Sequence, residues 1–250
     1  MSPLDFMLRT LVPRRTVKAR GLRFTLQSDN PITQYRSRHY NTKEPETLDW
    51  IDRWVKDGEI FFNVGANIGS YTLYAALRHP GARVVAFEPE YANLHLLRDN
   101  IMANGLQDRV EVYSIALGNR TGISRLHIQD LTPGAALHTE SPGTLAMTRT
   151  HKPVVWKEGI CTFTLDAFCE ATGIAPHCLK IDVDGTEVEI LEGAGRTLRS
   201  PTLRSLIMEM FGGPTARDAC AQRLLAAGLR RAWGDLKTGD NEIWVRGDHA

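Results

Sequence analysis

Two glycines and one acidic residue form the first pattern in this chain that could bind a ligand. The glycines bracket the stretch Gly65–Gly69, and Glu88 stands at the end of the next apolar run. Because glycine has no Cβ, the backbone can turn tightly at these positions and approach a ligand closely. A carboxylate at the end of a strand can accept two hydrogen bonds from a ribose diol. The pattern therefore predicts a ligand that contains a ribose.

The spacing of the glycines narrows the class of ligand. It is G-x-x-x-G, and no G-x-G precedes the following helix to seat a pyrophosphate. We therefore expect a nucleoside ligand without phosphates, of which S-adenosylmethionine is the common one. The alternative is that Gly65 and Gly69 serve only the packing of a βαβ unit.

A second chemical pattern lies at residues 179–187, LKIDVDGTE, where apolar and polar residues alternate. Lys180, Asp182 and Asp184 share one face of a predicted strand. Central parallel strands are normally apolar on both faces, so charges there need a partner or a function. Asp184 precedes a helix predicted over residues 186–198, and Glu187 follows it by three positions, which predicts helix capping by Asp184.

Asp182 is the first candidate for the reacting centre. It is predicted at the carboxyl end of the strand beside the first one, where ligands bind in open α/β sheets. Lys180 is then its partner deeper in the strand. Glu209 ends the next predicted strand, and together with Asp182 it could hold a divalent cation such as Mg²⁺. Two carboxylates alone do not define a metal site, so we expect none and keep this pair as the alternative.

A long segment over residues 119–164 departs from the alternation of strands and helices. Predicted strands at 123–128 and 160–163 flank a stretch rich in Gly, Pro, Ser and Thr. Long irregular connections in compact domains are usually functional or disordered. We predict that 119–164 is a lid that binds the acceptor, with His138 and His151 as candidate general bases beside Asp182. A flexible surface insertion with solvated histidines is the alternative.

The elements around these residues predict an α/β fold. A strand at 60–64, a helix at 70–78 and a strand at 84–87 form a βαβ unit, whose strands are parallel and whose crossover is right-handed. In such a sheet the loop after the third strand, near Ala116, passes the adenine ring. The last two predicted strands, 229–233 and 242–246, resemble a hairpin, which makes the final strand antiparallel. We assign 1–58 to an N-terminal extension and cap, and 59–250 to the ligand-binding domain.

Composition sets limits on location and partners. The chain has 250 residues, enough for one large α/β domain, with 42% hydrophobic and 24% charged residues. A net charge of +1 gives no strong attraction for nucleic acid or anionic membranes. No apolar run approaches the ~20 residues of a membrane span, and the start lacks a signal-peptide pattern. The four cysteines lack a C-x-x-C pair. We expect a cytoplasmic protein with no transmembrane segment and no nucleic-acid partner.

The order of the motifs resembles the FkbM family of S-adenosylmethionine-dependent methyltransferases. The similarity lies in NVGANIGSYT, AFEPEYANLHLLRDNI, ALGN, the Thr-Leu-Asp of residues 164–166 and LKIDVDGTEVEILEGA. It covers roughly residues 59–210, with a gap over the predicted lid. The resemblance implies a class I methyltransferase fold: a seven-stranded, mostly parallel, Rossmann-like sheet with an antiparallel last strand and helices on both faces. It also implies O-methylation of a hydroxyl on a sugar or secondary metabolite, so that the partner is a small-molecule or glycan acceptor.

The resemblance also implies roles for individual residues. The glycine-loop residues would border the methionine part of the cofactor, Glu88 would hold the ribose, and Asp182 would lie near the transferred methyl group. One position departs from the family pattern, because Asn63 stands where an aspartate usually attracts the ammonium group of the cofactor. Two other functions stay open: a cofactor-binding module without catalysis, and a nucleotide-dependent oxidoreductase. The residues implied for the cofactor are Asn63, Gly65, Ala66, Asn67, Gly69, Glu88, Ala116 and Asp182.

Overall fold

The computed structural model describes residues 12–136, 138–140, 153–210, 213–234 and 241–247. The strands are β1 Arg14–Ala19, β2 Leu22–Gln27, β3 Ile60–Val64, β4 Arg83–Phe87, β5 Val110–Tyr113, β6 Ala116–Leu117, β7 Gly122–Ile128, β8 Trp156–Phe163, β9 Cys178–Ile181, β10 Ser205–Glu209, β11 Leu229–Gly234 and β12 Asn241–Arg246. The helices are α1 Pro31–Arg38, α2 Tyr40–Lys43, α3 Pro45–Trp54, α4 Ser70–Arg78, α5 Tyr91–Ala103, α6 Leu165–Thr172, α7 Glu187–Glu192, α8 Gly195–Arg199 and α9 Gly213–Ala226.

A seven-stranded sheet runs through the molecule in the order β11-β12-β10-β9-β3-β4-β5. The pairs from β10 through β5 are parallel, and β12 is antiparallel to both β10 and β11. Helices cover both faces: Phe61 packs into one apolar cluster with α3 and α4, and Phe62 into a second cluster with α6 and α7. The predicted fold class, including the antiparallel last strand, is confirmed.

The βαβ unit at residues 60–87 follows local sequence signals. β3 and β4 are short apolar runs, buried almost throughout. Gly69 adopts a left-handed conformation at φ 90° immediately before α4, which costs glycine no Cβ strain. The helix ends at Arg78, just ahead of the Pro80-Gly81 pair. These local signals place the glycine turn at the carboxyl end of β3.

The N-terminal region packs on the main sheet through α3. Trp50 of α3 is buried, and its indole N–H donates to the hydroxyl of Ser205 on β10 at 2.8 Å. Its ring meets Phe61 of β3 edge-on at a centroid distance of 5.8 Å. Residues of β1 and β2, including Phe24, belong to the same apolar cluster. The cap and the sheet therefore share one core.

Much of the predicted lid is an ordered ribbon. β7 and β8 form a seven-pair antiparallel ladder, and β8 also pairs with β6. The predicted strand at 160–163 is the end of this longer β8. His151 and residues 141–152 around it lie outside the described residues. Between β7 and β8, residues 129–136 turn back over the carboxyl edge of the main sheet.

Two local predictions for residues 184–198 are wrong. The single helix is interrupted at Gly193 and Ala194, which separate α7 from α8. Gly193 packs so closely on Gly118 that a Cβ would lie 2.1 Å from the Gly118 carbonyl oxygen. Asp184 does not cap α7: Thr186 occupies that position without a side-chain cap, and Asp184 has a φ of 60°. Glu187 instead folds back and accepts from the Gly185 N–H.

Within the described ranges, no helix has the length and apolar character needed to cross a bilayer. All four cysteines fall in these ranges, and none forms a disulfide.

Candidate functional site

Strand register brings the predicted site residues to one edge of the sheet. Val64 pairs with Ile181, and Ile181 pairs with Met208. The residues that follow these three are Gly65, Asp182 and Glu209. They therefore lie side by side at the carboxyl ends of adjacent parallel strands, where open α/β sheets bind ligands.

The glycine loop passes against the backbone of Asp182. Gly65 has a φ of 77°, and a Cβ on it would lie 1.8 Å from the Asp182 carbonyl oxygen. The N–H groups of Gly65 and Ala66 both donate to the Phe87 carbonyl, at 3.1 and 2.9 Å. Any side chain at Gly65 would separate β3 from β9 at the point where the loop begins.

Glu88 holds the middle of this loop. Its carboxylate accepts from the backbone N–H of Asn67 at 2.7 Å and from that of Glu90 at 3.0 Å. The first of these bonds supports Asn67 in a conformation with φ 49°. Burial raises the pKa of Glu88 to about 7, against the backbone hydrogen bonds that lower it. Each carboxylate oxygen keeps a second lone pair, so a ribose contact at Glu88 stays a prediction.

Asn63 presents an unpaired acceptor beneath the loop. It is 1% exposed, and its amide nitrogen donates to the Thr72 hydroxyl at 2.8 Å. Its Oδ1 has no hydrogen-bond partner among the described residues. A buried acceptor without a partner is costly, by about 1–3 kcal/mol. A donor such as the ammonium group of S-adenosylmethionine would satisfy this atom, so the residues present fit that cofactor.

Ala116 and His138 share a small cavity with the glycine loop. The cavity has a volume of about 50 Å³ and is also lined by Gly65 and Val183. Neither ring nitrogen of His138 has a partner among the described residues. Burial lowers the pKa of His138, which favours a neutral imidazole. The structure thus places His138 beside the loop after β5, on the side predicted for the adenine.

Asp182 pairs with a buried lysine, as expected. The ammonium of Lys180 lies 2.6 Å from Asp182 Oδ2, and its side chain is 2% exposed. The same ammonium sits 4.9 Å from the centroid of the Tyr71 ring, a cation–π distance. A fully buried charge on a central strand is thereby compensated on two sides.

Asp182 and Glu209 interact as a carboxyl pair whose pKa values move in opposite directions. Burial opposes ionisation of Asp182, but the Lys180 charge and a hydrogen bond from Glu209 outweigh it, so the pKa of Asp182 lies well below its usual range. The Asp182 charge, then burial, raises the pKa of Glu209 to about 10. Near neutral pH, Asp182 is the ionised member of the pair and Glu209 the protonated one.

The predicted metal-ligand pair gains a third carboxylate. Asp182, Asp184 and Glu209 each offer an oxygen within 4.8 Å of the others. Three carboxylate oxygens are suitable ligands for Mg²⁺. A cation here would compete with the Lys180 ammonium and with the proton on Glu209. The Lys180 ammonium therefore already supplies a positive charge to this carboxylate cluster.

Three residues without a predicted role lie near this centre. Lys43 contacts Glu44 and is among the charges that act on Asp182. Burial, then the charge of Glu44, raises the pKa of Tyr71 well above its usual value, and its hydroxyl bonds Glu44. The sequence did contain a local signal for Tyr71, because this residue lies in the first turn of the helix that follows the glycine loop. Lys43 and Glu44 had none, since only the tertiary fold brings the cap to Asp182.

The segment after β7 covers the glycine loop. The carbonyl of Ala135 accepts from the side-chain amides of Asn67 and Asn93, at 2.8 and 3.1 Å. The N–H of Gly134 donates to Asn93 Oδ1 at 2.7 Å. This covering segment, residues 132–136, is thus fastened to the loop and to α5 by specific hydrogen bonds.

Comparison with known proteins bears on both the fold and the family. A family model described as "Methyltransferase FkbM domain" matches residues 63–228. In structure, the chain is similar to an Aeropyrum pernix fibrillarin in complex with natively bound S-adenosyl-L-methionine, with a TM-score of 0.51 and 10% identity over 92% of this chain and 81% of that one. At that identity the likeness concerns the fold alone.

Two curated proteins are similar in sequence. The chain is 33% identical over 97 residues to "31-O-demethyl-FK506 methyltransferase FkbM" of Streptomyces tacrolimicus, covering 38% of this chain and 36% of that protein. It is 28% identical over 206 residues to "Hexuronic acid methyltransferase AglP" of Haloferax volcanii, covering 81% of this chain and 75% of that protein. The match thus spans about a third of the first relative and three quarters of the second. Because the family model matches well over half of the 250 residues, and the glycine loop and Asp182 lie within the match, the chain belongs to the FkbM methyltransferase family.

Proposed function

We propose that the protein transfers a methyl group from S-adenosylmethionine to a hydroxyl of a sugar or secondary metabolite. The observation that carries the proposal is the juxtaposition of the glycine loop with an ionised Asp182 in a chain of the FkbM family. The relatives are named as methyltransferases of 31-O-demethyl-FK506 and of hexuronic acid. Both names support a hydroxyl-bearing acceptor.

The donor side of the site is built by Asn63, the glycine loop, Glu88 and Ala116. Asn63 Oδ1 would accept from the ammonium group of the cofactor, Glu88 would contact the ribose, and Ala116 would lie at the adenine. When bound, the cofactor supplies a methyl group activated by its sulfonium. The chain contributes alignment of that methyl group with the acceptor, worth up to ~7–11 kcal/mol in well-oriented systems.

Asp182 is the proposed proton acceptor. As the acceptor oxygen bonds to the methyl carbon and the carbon–sulfur bond breaks, the hydroxyl proton must leave. The ionised carboxylate of Asp182 would accept the hydrogen bond of that hydroxyl and then its proton, a general-base step commonly worth ~10²–10⁴-fold. Lys180 and the neutral Glu209 position this carboxylate. His138, on the adenine side, is the second candidate, and His151 lies outside the described residues.

The test is to incubate the protein with S-adenosylmethionine labelled on its methyl group and with fractionated metabolites of the host, then to identify labelled products. Transfer to an oxygen of a sugar or metabolite is the expected result. Calorimetry with S-adenosylmethionine, S-adenosylhomocysteine and NAD accompanies it. Binding of NAD instead of the other two ligands would favour an oxidoreductase. Binding of S-adenosylmethionine without transfer to any fraction would favour a cofactor-binding module.

A further inference from the structure

A second cavity lies beside the reacting centre, between the N-terminal helices and the segment after β7. Its volume is about 230 Å³, below the ~300–1,000 Å³ of pockets for drug-sized ligands. It therefore has room for a single ring rather than an extended molecule. The residues that line it and matter here are Tyr35, Arg36, Lys43, Gln129, Asp130 and Ala135.

Two of its wall residues connect this cavity to the methyl-transfer centre. Lys43 lines it, and the charge of Lys43 acts on Asp182. Ala135 lines it as well, and the carbonyl of Ala135 is held by the side chain of Asn67 in the glycine loop. A molecule in this cavity would thus border both the donor loop and the proposed proton acceptor.

Gln129 is a buried amide that has no partner in the described part of the chain. The residue is 4% exposed, and neither its Oε1 nor its Nε2 makes a hydrogen bond there. Burying an amide without partners is unfavourable. Gln129 lines the cavity, with both polar atoms of its amide covered. A change of rotamer would turn the amide into the cavity, where a ring hydroxyl can donate to Oε1 or accept from Nε2.

The guanidinium group of Arg36 lies at the wall of the same cavity, in an orientation held by a hydrogen bond. Its Nε donates to the Gly134 carbonyl at 2.9 Å, which orients the guanidinium. Its two terminal nitrogens make no hydrogen bond or ion pair with the described residues. A guanidinium held this way matches the geometry of a carboxylate. Lys43 lines the same cavity, but its ammonium is already paired with Glu44, so Arg36 carries the proposed anion contact.

The remaining walls suit the body of a polyhydroxylated ring. Tyr35 is 53% exposed and offers an aromatic face, on which the apolar C–H face of a sugar ring can pack. Asp130 also lines the cavity, and its Oδ1 accepts from the Thr132 N–H. The cavity therefore combines one apolar face, hydrogen-bonding groups of both kinds and an oriented cation.

We propose that this cavity is the acceptor subsite and that it takes a single polyhydroxylated ring bearing a carboxylate, as in a sugar acid. The carboxylate binds Arg36, and a ring hydroxyl binds Gln129. The inference rests on the proposed methyl transfer, to which it adds the charge class of the acceptor.

The test measures binding of sugar acids and their neutral counterparts by saturation-transfer NMR, with S-adenosylhomocysteine present. Each acid is compared with the hexose of the same configuration: glucuronate with glucose, galacturonate with galactose, and mannuronate with mannose. In the unmodified protein at least one acid binds ten times more tightly than its hexose or better. Arg36→Ala removes that preference, Arg36→Lys keeps part of it, and Gln129→Met weakens binding of acid and hexose alike. Arg38→Ala is the matched control, because Arg38 lies on the same helix and bonds Gln34.

Calorimetric titration with S-adenosylhomocysteine on the same samples separates the two proposals. If that ligand fails to bind the unmodified protein, the proposed methyl transfer is overturned, and this inference with it. If it binds but no acid exceeds its hexose, only the subsite proposal is overturned. The same holds if the preference for the acid survives in folded Arg36→Ala protein, as judged by its melting curve.

Discussion

At the scale of single residues, the site depends on which carboxylates carry a charge. Asp182, beside the buried Lys180, is kept ionised, while its neighbour Glu209 keeps a proton. Glu88 lies between these extremes, because burial outweighs two backbone hydrogen bonds and raises its pKa to about 7. Three acidic residues at one edge of a sheet thus differ in protonation through their contacts, and each difference can be measured.

Glu88 is expected to contribute to cofactor affinity. Glu88→Ala should weaken binding of S-adenosylmethionine at least tenfold, about 1.4 kcal/mol, because the ribose loses its partner and Asn67 loses its support. Calorimetry measures this directly. Glu111→Ala, which changes an exposed acid paired with Arg83, should leave the affinity unchanged. An unaltered affinity in Glu88→Ala would refute the ribose assignment.

Glu88 should also give the folding stability a pH dependence. Its pKa is about 7 in the folded chain against 4.5 in the reference state, so its protonated form favours folding. That contribution is complete below pH 4.5 and is lost as the pH rises through 7, by up to ~3 kcal/mol. We therefore expect the free energy of unfolding, measured with urea between pH 4.5 and 8, to fall more steeply with pH for the unmodified protein than for Glu88→Gln. Parallel curves for the two proteins would mean that Glu88 does not titrate in this range.

Asp182 is expected to affect turnover more than cofactor binding. Asp182→Asn should lower the rate of methyl transfer by ~10²–10⁴-fold, the usual contribution of a general base, with a much smaller change in S-adenosylmethionine affinity. Asp184→Asn alters the same carboxylate cluster but keeps the partner of Lys180, so it is the control. Equal losses of turnover and affinity in Asp182→Asn would indicate a binding role instead.

Chelation distinguishes the proton acceptor from a metal ligand. If Asp182 acts with Lys180 and Glu209 alone, activity persists after exhaustive chelation. Activity that disappears and returns with added Mg²⁺ would assign Asp182, Asp184 and Glu209 to a cation.

At the scale of elements, the covering segment is fastened over the glycine loop. Asn93 of α5 holds both Gly134 and Ala135, and Asn67 of the loop holds Ala135 as well. For a cofactor that binds at this loop, as proposed, we expect entry to require a shift of the segment, and these hydrogen bonds set the cost of that shift.

Loosening this segment should be visible without any substrate. Asn93→Ala removes two hydrogen bonds, each worth ~0.5–1.5 kcal/mol, so amide exchange across residues 130–136 should increase about tenfold or more. S-adenosylmethionine should also associate faster. Hydrogen-exchange mass spectrometry and stopped-flow binding measure the two effects. Asn104→Ala is the matched control, since Asn104 follows the same helix but bonds the backbone of Thr25. Unchanged exchange in Asn93→Ala would show that the segment is held by other contacts.

At the scale of the whole molecule, the N-terminal region is part of the folded core. α3 lies on the sheet, and Trp50 joins Phe61 and Ser205 on two of its strands. The same region carries Lys43 and Arg36 to the carboxyl edge, next to Asp182 and the second cavity. Arg36 and Lys43 lie outside the family match, which begins at residue 63. They nevertheless supply one wall of the proposed acceptor subsite.

This arrangement predicts that cap and sheet unfold together. Trp50→Ala should destabilise the protein by ~3–5 kcal/mol, because it leaves a cavity in the shared core, while unfolding stays a single transition. Chemical denaturation followed by circular dichroism and tryptophan fluorescence measures both points. Trp156→Ala, at a position 57% exposed, should change stability by less than ~0.5 kcal/mol. Two separate transitions would show that the cap is an independent unit.

The sequence by itself determined the order of the elements in the βαβ unit and the residues of the proposed donor side. Apolar runs, the glycine turn and the Pro80-Gly81 stop act within a few residues, so β3, α4 and β4 could be placed closely. The position of Asp182 beside Gly65 followed from the rule that parallel strands end at one edge. The pairing of Asp182 with Lys180 followed from the cost of a buried charge.

Only the tertiary structure decided the walls of the proposed acceptor subsite and the pKa values of the carboxylates. Lys43 and Arg36 reach the second cavity through the packing of the cap. Gln129, in the segment that follows β7, is buried at the same cavity. The need for glycine at position 193 depends on Gly118, far away in the chain. The raised pKa of Glu209 depends on the charge of Asp182, which the fold brings close. Such contacts join residues that lie far apart in the sequence. Local patterns do not show which of these residues meet or how far apart they lie in the fold.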